Sequence, residues 1–106
     1  MKIDLQEEFE LKKYIPSSTH LKSLSTFFYL FSDDTRLKII ILLIIKPLCV
    51  GDISSVLSAN QTTISHQLKI LKAQNIVGCD RCGKKIVYYI KNNNIEPMLN
   101  ASVECL

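Results

Sequence analysis

Apolar residues set the rhythm of this chain. From His20 to Phe31 they fall at Leu21, Leu24, Phe28 and Phe31, a helical spacing that draws a wide apolar face. Ser32-Asp33-Asp34-Thr35-Arg36 follows, with side chains that cap orphan backbone N–H groups and acids that suit a first helical turn. A new helix is expected there, running to about Ile45 and apolar almost all round, as a central buried helix would be. Lys46-Pro47 ends it, because proline disfavours helical geometry in the residue before it. Upstream, residues 3–14 alternate loosely, as a short surface helix does, until Pro16.

Two shorter helical stripes come next, Val50, Ile53, Val56 and Leu57, then Ile64, Leu68 and Leu71, broken by Ser58-Ala59-Asn60. Two short helices joined by so brief a turn form a helix-turn-helix, here residues 50–74. After Asn75 the period changes. Ile76-Val77 and Ile86-Val87-Tyr88-Tyr89-Ile90 are β-branched and aromatic, and they flank a turn-like Asp80-Arg81-Cys82-Gly83. This predicts a hairpin over 76–91 with a basic tip. In the strand pattern Tyr88 and Tyr89 face opposite ways. Residues 95–106 read as a C-terminal helix with Pro97 in its first turn. The expected fold is mainly α with a small β-hairpin, a winged helix-turn-helix.

The second helix of the pair carries the chemistry. Ile64, Leu68 and Leu71 point one way, so Thr62, Ser65, His66 and Lys69 point roughly the other, with Gln61 at the start. Short hydroxyls and an amide suit base edges in a major groove, and a cation suits phosphate. An ordinary solvated face is more often rich in Glu and Lys. No carboxylate occurs from Asn60 to Cys79, and a carboxylate beside phosphate would repel it.

Composition narrows the class. The 106 residues fit one domain, 1–106, and 47% hydrophobic with 22% charged residues is globular rather than disordered. The densest apolar run, Ile39 to Ile45, is too short to span a membrane, and the acidic start MKIDLQEEFE has no signal-peptide core, so a cytoplasmic location is expected. The net charge of +3 is uneven. Residues 1–10 carry net −3, whereas residues 53–95 set Lys69, Lys72, Arg81, Lys84, Lys85 and Lys91 against Asp80 alone. That asymmetry suggests a polyanion-facing surface, although a solvated lysine face would give the same count.

SDDTRLKIIILL, LCVGDISSVL, NQTTISHQLKILKAQNIV and GKKIVYYI, in that order, resemble the ArsR/SmtB family of winged-helix repressors over roughly residues 20–95. The resemblance implies a homodimeric transcriptional repressor released from operator DNA by an inducer, often a thiophilic or divalent metal ion. It implies that Gln61, Thr62, Thr63, Ser65, His66 and Lys69 lie in the recognition helix and Arg81, Lys84 and Lys85 on the wing. Residues 20–31 and 95–106 would then form the dimer interface, behind an N-terminal arm of residues 1–19.

The sensor is where the resemblance fails. The family's thiolate site uses both cysteines of ELCVCDL, and here Gly51 stands where the second would be, leaving Cys49 alone. One thiolate cannot fill a soft metal's three- or four-ligand shell. The Asp/His site of the family's C-terminal helix is also missing, since residues 92–106 contain neither. Cys79-x-x-Cys82 remains, half a zinc knuckle, set among Arg81, Lys84 and Lys85, cations that make this pair the expected most reactive thiols. A thiophilic metal ion or a thiol oxidant acting there is the inducer class left open. The default expectation is no sensing role for Cys49, Cys79, Cys82 or Cys105. A protein- or RNA-interaction winged helix is the alternative to operator binding. An enzyme has little support, with three glycines in all and no phosphate loop or Ser/His/Asp set.

Overall fold

The computed structural model describes residues 2–106. Six helices and three strands follow in order: α1 Leu5–Lys12, α2 Ser18–Tyr29, α3 Asp34–Ile45, β1 Leu48–Cys49, α4 Val50–Leu57, α5 Gln61–Ala73, β2 Val77–Cys82, β3 Lys85–Ile90 and α6 Ile95–Glu104. The strands form one antiparallel sheet in the order β1-β3-β2. This is a winged helix-turn-helix, as the hydrophobic pattern predicts.

Side-chain caps place the helix starts. Asp4, Ser17, Asp33 and Asn60 each accept a hydrogen bond from a backbone N–H of the first turn, at 2.8, 3.3, 2.9 and 2.7 Å. The Ser17 cap starts α2 at Ser18, two residues before the expected boundary. At the other end of α3, Lys46 turns extended before Pro47.

The core gathers Ile39, Ile40 and Leu43 of α3, Ile53 of α4, the Ile64, Leu68 and Leu71 stripe of α5, then Ile76, Val77 and Ile95. Full burial of each Leu or Ile contributes about 1.5–3 kcal/mol before the entropy of ordering is counted. The expectation that α3 is buried all round needs correction. Ile41 and Ile45 are 47% and 72% exposed, because the body covers only one side of the helix. Helix α2 likewise has no buried residue, and Leu21, Leu24 and Phe28 face solvent while Phe27, and Phe31 just beyond the helix, pack on the core. No residue of α1 is buried either. The two helices project from the body, which explains a molecule 63 Å long with a radius of gyration of 18.4 Å. A compact domain of this length has about 13 Å.

The hairpin differs from its sequence reading. Strand β2 runs on through Asp80, Arg81 and Cys82 to the pair Cys82↔Lys85, so the turn is Gly83-Lys84. Gly83 has φ of +64°, a conformation that glycine adopts without a Cβ clash. The short β1 has no periodicity to betray it. Leu48 and Cys49 pair with Tyr88 and Val87, fixing the start of α4 to the wing.

At the base of the wing Gly78 is required by a close approach. A Cβ there would lie 2.6 Å from the Tyr89 hydroxyl oxygen and 2.7 Å from Cζ. Gly78→Ala is therefore expected to lower stability by about 1–3 kcal/mol through overpacking. The cost should largely vanish in a Tyr89→Ala background, and urea melts of the four proteins check this. Equal costs in both backgrounds would contradict it.

Candidate nucleic-acid interface

The turn between α4 and α5 is built locally. Ser58 adopts a left-handed conformation, φ 52°, the Ala59 N–H donates to the Ser54 carbonyl at 3.0 Å, and the Ser54 hydroxyl donates to the Ala59 carbonyl. Asn60 then caps α5, and Ile64, Leu68 and Leu71 fasten it to α3 and α4. With its apolar stripe committed to the core, the opposite face has nowhere to go but outward. Gln61, Thr62, Thr63, Ser65, His66 and Lys69 are all exposed.

The wing brings its cations to the same side. Arg81, Lys84 and Lys85 are exposed at and beside the Gly83-Lys84 turn. Ser65 of α5 lines one open groove with Lys84 and Lys85. No ion pair among the described residues neutralises Lys69, Arg81, Lys84 or Lys85; those formed join Lys12 to Glu8 and Lys13 to Glu10, far along the chain. The groove therefore offers free cations beside the Ser65 hydroxyl.

One carboxylate shares that groove, Asp52 of α4, which lies upstream of the carboxylate-free stretch that begins at Asn60. Its Oδ2 accepts a hydrogen bond from the Cys49 thiol at 3.1 Å. The only sequence signal for this contact is a cysteine at the cap and an acid three residues on, the ordinary capping distance.

The other thiols are not arranged as the sequence suggests. Because Cys79 and Cys82 both lie in β2, three residues apart, the strand pleat sends them to opposite faces. Three strand steps also separate their Cα atoms by about 10 Å, beyond the ~7 Å that a disulfide tolerates. The half-knuckle reading of Cys79-x-x-Cys82 is thereby corrected: the pair cannot chelate one ion or close on itself while β2 persists. Cys79 instead meets Lys72 at the end of α5. A hydrogen bond with the Cys79 side chain, and the charge that thiol carries when ionised, hold the Lys72 ammonium above its ordinary pKa. Cys82 is exposed at the wing, and all four cysteines are free thiols. Among the described residues no three His, Cys, Asp or Glu side chains converge closely enough to hold a metal ion. None of the described helices is long and apolar enough to cross a membrane.

Comparison with known proteins decides the family. Residues 33–78 match the model of the bacterial regulatory protein, arsR family. Over 82 residues the chain is 39% identical to the cadmium resistance transcriptional regulatory protein CadC of Listeria innocua, covering 76% of this chain and 69% of that one. The chain belongs to the arsR family. A transcriptional repressor SmtB homolog of Synechocystis sp. is 26% identical over 93 residues, 88% of this chain and 70% of its own. In fold it is similar to NolR from Sinorhizobium fredii, with a TM-score of 0.75 at 21% identity over 99% of this chain and 95% of that one. This arsR-family protein is a DNA-binding transcriptional regulator. Its resemblance to ArsR/SmtB repressors, read from four short motifs, is thus confirmed.

Two outcomes follow for the groove and the strand. Removing the acid that shares the groove with Lys84 and Lys85, by Asp52→Asn, is expected to raise affinity for any duplex several-fold at low salt. Fluorescence anisotropy on a random duplex reads this, and unchanged or weakened binding would contradict it. Mild oxidation followed by peptide mass spectrometry should yield no Cys79–Cys82 intrachain disulfide.

Proposed function

We propose that this arsR-family regulator is a homodimeric repressor that lays α5 in the major groove of its operator. Gln61, Thr62, Thr63, Ser65 and His66 face base edges, while Lys69, Arg81, Lys84 and Lys85 face phosphates. The observation that carries this reading is the exposed, carboxylate-free polar face of α5, whose Ser65 shares one groove with the unpaired wing lysines Lys84 and Lys85. Hydroxyls and amides read donor and acceptor patterns in the major groove, and mobile lysines neutralise backbone charge. The protein acts by binding, with no catalytic step, and does so in the cytoplasm where its operator lies.

The dimer reading rests on apolar surface left uncovered by one chain. Leu21, Leu24 and Phe28 of α2 are exposed, and Leu37, Ile41 and Ile45 of α3 line an apolar groove with Leu99 and Val103 of α6. Exposed apolar patches of this kind mark subunit interfaces more often than a monomer's skin. Two-fold symmetry would present two recognition helices to two half-sites. A related structure, fragment 1–100 of Mb0332 from Mycobacterium bovis, is described as a homodimeric winged helix-turn-helix domain. The Cys-x-Cys type of sensor is not available to this chain. CadC is named for cadmium resistance, but here Gly51 offers no side-chain ligand and Cys49 is engaged by Asp52. Cd²⁺, Zn²⁺ and As(III) are therefore expected not to release DNA through a Cys-x-Cys site.

The test is binding to a duplex carrying the DNA upstream of the chain's own coding sequence. Lys84→Ala/Lys85→Ala should weaken binding to every duplex about equally and reduce the salt slope by about 2, one unit for each phosphate no longer neutralised. Gln61→Ala or Ser65→Ala should instead cost about 1–3 kcal/mol on the preferred duplex alone. Indistinguishable effects from the wing and helix substitutions would contradict these roles. Equal affinity for the upstream duplex, unrelated duplexes and RNA would favour the interaction-module reading. Sedimentation at micromolar concentration is expected to show a dimer, and a monomer would refute that assignment.

A further inference from the structure

Arg36 is buried to 6% exposure, and no carboxylate forms an ion pair with it among the described residues. A buried guanidinium without a counter-ion is costly unless every donor finds dipoles to replace water. Arg36 finds them on two different helices. Its Nε donates to the Leu30 carbonyl at 3.0 Å and its Nη2 to the Tyr29 carbonyl at 3.4 Å, at the C-terminus of α2. Its guanidinium carbon also lies 5.4 Å from the centre of the Tyr29 ring. The Tyr29 carbonyl also accepts from the Ser32 N–H and hydroxyl, so the Leu30 carbonyl and the negative dipole end of α2 are what the cation chiefly meets there.

The remaining arm points the other way. Nη1 donates to Gln67 Oε1 at 3.1 Å, and Gln67 Nε2 donates to Asp33 Oδ2 at 3.4 Å. The same carboxylate oxygen caps α3 through the Arg36 backbone N–H. Both ends of the Gln67 amide are therefore held, one by the guanidinium and one by the cap of the neighbouring helix. Gln67 belongs to α5 and follows His66 in sequence, on the flank between the exposed polar face and the buried stripe. Apolar packing of Ile64, Leu68 and Leu71 fixes how closely α5 sits, but it tolerates small rotations about the helix axis. A doubly held amide on the flank does not.

We infer that Arg36 and Gln67 are positioning residues for DNA recognition: through this amide the C-terminus of α2 sets the rotation of α5, and with it the aim of the base-reading side chains. The inference rests on the proposed role of α5. It also makes α2, which carries exposed apolar surface proposed for the partner subunit, the helix whose displacement would be felt at the bases.

The experiment is a double-mutant cycle in the full chain, reading affinity for the upstream duplex and for a shuffled duplex of the same length. Gln67→Ala and Arg36→Lys should each weaken upstream-duplex binding on the order of ten-fold, with shuffled-duplex affinity and salt slope unchanged. The double variant should bind as Arg36→Lys alone does, because residues in one hydrogen-bond network are not additive. Gln67→Glu, which keeps an acceptor for Arg36 but opposes Asp33, should recover part of the affinity. Circular dichroism melts confirm that each variant is folded at the assay temperature. Additive effects would show that Gln67 touches DNA independently of Arg36 and would overturn the inference alone. So would equal weakening on both duplexes. A parent protein that binds no duplex would overturn the DNA reading itself.

Discussion

The structure depends on the burial of one stripe of three residues. Ile64, Leu68 and Leu71 are wholly removed from solvent against α3 and α4, and that decides which face of α5 is left outside. Burying this stripe turns the polar residues between its members outward, and the Gln67 amide narrows the small rotations that the packing still allows. The same core includes Val77 at the base of the wing, which ties the hairpin to the recognition helix. The functional surface is thus the complement of the hydrophobic core.

That dependence explains what is legible in the sequence. Helix-turn-helix, wing and C-terminal helix can be read because each has a strong local signal: a 3.6 period, a cap, or a change to β-branched residues. The polar face of α5 can be read because it is the remainder once the stripe is assigned. What escapes is tertiary. Strand β1 is two residues long and shows no alternation, so only its pairing with Val87 and Tyr88 makes it a strand. Asp80-Arg81-Cys82-Gly83 looks like the hairpin turn because polar residues resemble turn residues, whereas registry with β3 keeps all but Gly83 in β2. This shift of the turn converts Cys79 and Cys82 from neighbours into residues on opposite faces of a strand.

Burial misleads in two other places. The run from Ile39 to Ile45 predicts a helix covered on every side, but Ile41 and Ile45 are open. Sequence hydrophobicity does not distinguish a core from a surface reserved for another chain, and α2 shows the same property along Leu21, Leu24 and Phe28. Arg36 presents the reverse case. A charged residue in a first helical turn reads as surface, yet it is enclosed because carbonyls of α2 and an amide of α5 replace its water. Neither partner is near it in helical register, and Gln67 lies 31 residues away, so no local pattern announces the contact.

On the proposed function, α5 and the wing together form the surface that meets duplex DNA. Amide chemical-shift mapping of the isotopically labelled protein, titrated with the upstream duplex, tests this most directly because it needs no substitution. Shifts are expected to concentrate at residues 61–69 and 81–85, with α1 and α6 unmoved by direct contact. Shifts confined to α1, α2 or α6, with residues 61–69 unperturbed, would contradict it.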